Sequence, residues 1–187
     1  MRQELDWLLS VEDEACKLTD LYEEGKLPLR VTHNDTKINN VLFDEETLRP
    51  LVVIDLDTVM PGLVGHDFGD AIRFAANFVE EDCPKADEAG LNLNVYWAFA
   101  EGFLKETAPT LTEMEVETLG NSCFTLTCEL ATRFLADYLV GDKYFKINGP
   151  EHNLIRTRCQ IALAKDMQTK MDAMNAIVRD CWQRYRK

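Results

Sequence analysis

The densest group of chemistry-bearing side chains lies between residues 33 and 57. His33-Asn34-Asp35-Thr36-Lys37-Ile38-Asn39-Asn40 has the form HxDxxxxN, and Ile54-Asp55-Leu56-Asp57 follows one apolar run later. An aspartate, a lysine two residues on, an amide five residues on and a further aspartate match what phosphoryl transfer to a hydroxyl demands. One carboxylate must orient and deprotonate the attacking alcohol, and other oxygen ligands must hold magnesium against the phosphates. Asp35 suits the first task, while Asn40 and Asp55 suit the second. Lys37 could neutralise the moving phosphoryl group, and His33 is expected to support the loop.

Any one of these residues alone reads as a turn former, because Asn and Asp favour turns. A chance HxDxxxxN in a chain this long has odds of about one in a hundred. Flanking strands, with an aspartate closing the next one, lower that by about another factor of ten. The combination is the layout of a kinase catalytic loop followed by its metal-binding aspartate. Asp57 reads as a solvated turn residue or as a further carboxylate behind Asp55.

The elements that must position this group are short strands set among helices. Residues 29–31 and 40–43 read as strands, an Asp-Glu-Glu-Thr turn follows, and 51–54 is a β-branched run. Before them, residues 3–24 show helical spacing of Leu5, Leu8, Leu9, Ala15, Leu18, Leu21 and Tyr22, stopped by Gly25 and Pro28. Everything after Gly65 reads as helix: 67–79, 88–106, a region from a Thr110–Glu113 capping box towards Val140, and a helix of about 35 residues opened by Pro150. The expected fold is mainly α with a small β-hairpin region, residues 1–187 forming a single lobe. Its catalytic loop and metal-binding segment span 30–58, and its helical, substrate-binding part spans 66–187.

Composition narrows the function. The 187 residues carry a net charge of −13, which disfavours nucleic acid and anionic membranes as partners. Magnesium would still let an acidic protein bind ATP. The six cysteines include no CxxC pair and read as reduced core thiols of a cytoplasmic protein. Neither a secretory signal nor a span long enough for a bilayer is visible. In the stretch 123–140, apolar nearly all round, Glu129, Arg133 and Asp137 form one polar stripe. That stripe is either an i,i+4 salt-bridge ladder or a lining of the acceptor cleft.

HNDTKINN, IDLDTVMPG and HDFGDAIR resemble stretches of the aminoglycoside phosphotransferase and choline kinase superfamily. Within it they are most similar to the N-acetylhexosamine 1-kinases, where HNDTK and IDLDTVMPG occur nearly verbatim. The resemblance implies the C-terminal lobe of a protein-kinase-like fold, using ATP and Mg2+ to phosphorylate a sugar, at the anomeric hydroxyl of an N-acetylhexosamine. It implies Asp35 as base, Asn40 and Asp55 as magnesium ligands, and Asp67 as a support for the catalytic loop. Asp67 would serve equally as a plain N-cap of its helix. Arg133 and Tyr144 are the implied sugar contacts. A choline- or aminoglycoside-type kinase lobe is the alternative within the superfamily, and a non-catalytic binding module derived from a kinase lies outside it.

No glycine-rich phosphate loop and no VAIK-like strand lysine occur in the sequence. In the superfamily both belong to an N-terminal lobe, expected here to be absent, so the isolated chain is expected to be inactive or very weak. The surface such a lobe would cover should expose apolar side chains and favour self-association. Light scattering across a concentration series should then show a homo-oligomer; a clean monomer at high concentration would count against it.

Overall fold

A computed structural model describes all 187 residues. Six α-helices and two small antiparallel two-stranded sheets make up the chain: α1 (Arg2–Ser10), α2 (Glu12–Glu23), β1 (Arg30–Thr32), β2 (Val41–Phe43), β3 (Pro50–Val53), β4 (Met60–Gly62), α3 (Val64–Ala75), α4 (Leu93–Thr107), α5 (Glu113–Leu139) and α6 (His152–Tyr185). The mainly α fold with a β-hairpin region is the one expected. Strand β1 pairs with β4, and β2 with β3. No helix is long and apolar enough to cross a membrane.

The core is built by α5 and α6, which run antiparallel. Gly120 of α5 lies against Asn175 of α6, and Thr127 against Met167. Phe68 and Ile72 from α3, Tyr96 and Leu104 from α4, Leu119 and Cys123 from α5, and Leu163, Met167, Met174 and Val178 from α6 form one buried cluster. The rings of Phe99 and Phe103 meet Phe68 edge-on, at centroid distances of 5.5 and 5.2 Å. Helix α1 adds Leu8 to a smaller cluster with Ala131, Leu135, Leu154 and Ile161.

Several element boundaries differ from the expected ones, each for a local reason. The first helix is two, broken at Val11, whose backbone leaves the helical region. The capping box of α5 is Thr112–Glu115, two residues beyond the Thr110–Glu113 pair. Glu115 is preferred because its carboxylate also receives Arg30, through Nε at 2.8 Å and a terminal nitrogen at 2.7 Å, which ties β1 to the start of α5. Pro150 precedes α6 in a turn, with the helix opening at His152. Residues 76–92 are a loop with a short turn at Ala86–Glu88, and α4 starts at Leu93 under an Asn92 cap. Strand β4, not foreseen, pairs with β1 because Met60-Pro61-Gly62 runs back along it.

Burial also divides unevenly. Four cysteines are core thiols, but Cys16 is exposed and Cys83 half-buried; all six are free. Burial pushes Cys128 up to about 12 and Cys159 to about 11, so neither is a thiolate near neutrality. On α5, Phe124, Phe134 and Leu135 are buried, whereas Leu126 and Leu130 are half-buried and Leu139 is exposed along a cleft. The helix is apolar all round because one side meets the core and the other a concave surface. The remaining exposed apolar side chains concentrate in the β region, with Val31, Leu48, Leu51 and Leu56 foremost.

Helix α3 is seated on α5 through glycine. A Cβ added at Gly69 would lie 2.5 Å from the Ser122 carbonyl oxygen and 2.8 Å from its carbon. Gly69→Ala should therefore destabilise the fold by about 1–3 kcal/mol through overpacking against backbone, outweighing a helix-propensity gain of about 1 kcal/mol. Denaturant titration of the two proteins checks the sign.

Candidate active site

The loop between β1 and β2 is held in place by α3. Asp67, in the first turns of that helix, accepts the backbone N–H of His33 at 2.8 Å on one carboxylate oxygen and that of Asn34 at 2.7 Å on the other. Its own carbonyl accepts the Thr36 hydroxyl at 2.6 Å. One turn later Asp70 accepts the Thr36 N–H at 3.0 Å and is itself gripped by Arg73, whose other guanidinium nitrogen pairs with Glu81 at 2.6 Å. Asp67 is not an N-cap: α3 opens three residues before it, with Leu63 in that position.

A second set of bonds pins the loop to the chain after β3. The Thr58 hydroxyl donates to the His33 carbonyl at 2.6 Å, and the Asn34 amide donates to the Thr58 carbonyl at 3.1 Å. Asn34 takes a left-handed backbone, φ 62°, which Asn tolerates better than most residues. The Ile54 peptide is held from both sides. Its N–H donates to the Asn40 carbonyl at 2.9 Å, and its carbonyl lies 3.0 Å from His33 Nε2. Because His33 Nδ1 accepts the Asp35 N–H at 3.3 Å, the neutral ring carries its proton on Nε2 and donates it to Ile54. His33 thus links the residue before Asp55 to the backbone of Asp35.

Asp35 itself sits half-buried among donors. Lys37 Nζ is 2.9 Å from Oδ1, and the Asn40 side-chain amide donates to Oδ2 at 3.0 Å and to the Asp35 carbonyl at 2.8 Å. Burial pushes its carboxyl up, but Lys37 and Asn40 together outweigh that and hold it below the ordinary aspartate value. Asp35 is therefore a carboxylate throughout the neutral range. Since Asn40 spends its N–H groups on Asp35, its Oδ1 has no protein partner and remains free to accept or ligate. Asp55, two residues beyond β3, takes a left-handed conformation, φ 61° and ψ 53°, and its exposed carboxylate makes no hydrogen bond or ion pair. One amide oxygen and one carboxylate, both uncommitted, are the hard oxygen donors that Mg2+ prefers. Asp57 is exposed in the short turn that follows.

Asp35 and Lys37 open into a cleft of about 1120 Å³, which Arg133 and Tyr144 also line. The Arg133 guanidinium lies over the rings of Tyr144 and Phe145, 5.6 and 5.4 Å from their centroids. It also reaches the Tyr144 hydroxyl and Glu129, both at 3.4 Å. The expected stripe is divided: Glu129 and Arg133 pair at the rim, whereas Asp137 turns inward and is buried. Asn40 and Asp55 are not among the cleft's lining residues.

Asn34, Thr36, Thr58 and Asp70 are the members of this arrangement that the motif did not single out. Asp70 had a signal, since it sits three residues after Asp67 and so on the same helix face. The threonines had none, because a hydroxyl that reaches a backbone carbonyl leaves no spacing rule.

Residues 2–103, just over half the chain, match the family described as the phosphotransferase enzyme family, APH. The match spans the whole β region and α3, which contain every loop-anchoring contact above, and stops before Arg133 and Tyr144.

Asp67→Asn should release the loop. An amide cannot accept two backbone N–H groups in this geometry, and stranding one costs about 1–3 kcal/mol. Hydrogen exchange should show the His33 and Asn34 amides losing protection while those of α5 keep theirs.

Proposed function

Because the chain belongs to the phosphotransferase enzyme family, we propose that it transfers the γ-phosphoryl group of ATP to the anomeric hydroxyl of an N-acetylhexosamine. The observation that carries this reading is the ionised, donor-surrounded Asp35 at the mouth of a cleft that Arg133 and Tyr144 share. Asp35 would orient the sugar hydroxyl and take its proton as the new O–P bond forms. The bond from the γ-phosphorus to the bridging oxygen breaks in the same step, and ADP departs. Lys37, 2.9 Å from Asp35, would exchange that partner for a γ-phosphate oxygen. Magnesium, held by Asn40 Oδ1 and Asp55, would screen the phosphate charge.

Acceptor charge favours a sugar over a choline- or aminoglycoside-like cation. Lys37, Arg73, Arg133, Lys146 and Arg156 all line the cleft, balancing its carboxylates in a protein that is otherwise strongly acidic. A cationic acceptor would call for an acidic, aromatic pocket. Arg133 instead offers a planar fork of N–H donors suited to hydroxyls and to an acetamido carbonyl.

No glycine-rich loop is present among these residues, so turnover by this chain is expected to be slow. Incubation with γ-labelled ATP, Mg2+ and a panel of N-acetylhexosamines, aminoglycosides and choline provides the test. Label should reach the sugar anomeric position only, and Asp35→Asn should lower transfer by about 100-fold or more. Transfer to the cationic acceptors alone would overturn the sugar assignment. A chain that binds no nucleotide in the presence of Mg2+ would favour a non-catalytic binding module.

A further inference from the structure

Asp137 is the most heavily engaged carboxylate in the molecule, and nothing in phosphoryl transfer calls for it. It is 5% exposed, in the last turn of α5. Oδ1 accepts the backbone N–H of Lys143 at 2.8 Å and of Tyr144 at 2.9 Å, while Oδ2 accepts that of Phe145 at 2.9 Å. Its carbonyl takes the Asp142 N–H at 2.8 Å. Asn153, wholly buried in α6, bridges Oδ2 at 2.9 Å and the Asp142 carboxylate at 2.8 Å. Three consecutive residues, 143–145, are thereby held on one carboxylate, after a turn with left-handed backbone at Gly141 and Asp142.

What this wrapping delivers is a wall of the cleft. Tyr144 and Phe145 come off the loop edge-to-face, 4.8 Å apart, and Phe145 packs on Phe134 at 4.7 Å. The Arg133 guanidinium lies over both rings. Tyr144 is otherwise highly exposed, so its own packing does not fix its place; the backbone bonds to Asp137 do.

We propose that Asp137 is a positioning residue for acceptor recognition, setting the Arg133–Tyr144–Phe145 surface that lines the same cleft as Asp35. The inference rests on the reading of that cleft as the acceptor site. Asp137 touches no substrate. It converts an exposed segment with two left-handed residues into a rigid edge, and rigid placement to within an ångström is what acceptor orientation requires.

Asp137→Asn separates this role from general structural support. The amide keeps one acceptor oxygen and turns a donor toward N–H groups that need an acceptor. Calorimetry on the full chain should show N-acetylglucosamine affinity falling by about 10- to 100-fold, with Mg2+-ADP affinity within about twofold. Hydrogen exchange should show amides 143–145 freed, with α3 and its bonds to residues 33–36 still protected. Asn153→Ala removes only the bridge and should move the same readouts in the same direction by less, which keeps the test alive if Asp137→Asn folds poorly. Freed amides with unchanged sugar affinity would overturn the proposal, as would equal losses of sugar and nucleotide binding. A wild-type chain that binds nucleotide but no acceptor sugar would instead remove the reading of the cleft, and this inference with it.

Discussion

One carboxylate spanning two successive backbone N–H groups holds the arrangement together. Asp67 takes the amides of His33 and Asn34, and with them it determines where the chain goes before it reaches Asp35. A loop with a left-handed residue at position 34 has little intrinsic preference for its shape. The bonds from α3 supply that preference, and α3 can supply it only because it is itself fixed against α5 at Gly69. The dependence therefore runs from core to helix to loop to Asp35. Packing that looks remote from the chemistry decides the direction in which Asp35 points.

Electrostatically the site is arranged as a chain of alternating charges within an acidic molecule. Glu81, Arg73 and Asp70 follow one another, with Asp70 bonded to the loop at Thr36 and Lys37 facing Asp35 next to it. Arg73 is nearly fully buried, which is tolerable because both its neighbours are carboxylates that satisfy its N–H groups. The result is that Asp35 stays ionised despite its burial, while Asn40 Oδ1 and the Asp55 carboxylate remain uncommitted. The carboxylates that anchor the loop, Asp67 and Asp70, are by contrast fully engaged.

Much of this was legible from residue types and spacing, and the reason is instructive. HxDxxxxN followed by an apolar run and an aspartate encodes a loop between strands, and Asp35 and Asn40 do meet directly. Apolar periodicity gave α5 and α6 nearly their full lengths, since long buried faces repeat many times. Boundaries were less legible. Thr110–Glu113 and Thr112–Glu115 have the same spacing, and only the distant Arg30 decides between them. Asp137 was misplaced for a similar reason: on a helical wheel it joins Glu129 and Arg133, but the loop beyond the helix end folds back and captures it. Local pattern cannot register a partner supplied by a later turn.

The β2–β3 hairpin leads to a different conclusion. All four residues of β3 are exposed, so no side chain of that strand is gripped by the core, and Asp55 follows two residues beyond its end. The two parts of the site are held differently. Around Asp35, bonds from α3 fix the loop backbone. Beside Asp55, an exposed ribbon is held by its own strand pairing and by the contacts of Ile54, so on the proposed reading the entropic toll of ordering would fall chiefly on nucleotide capture.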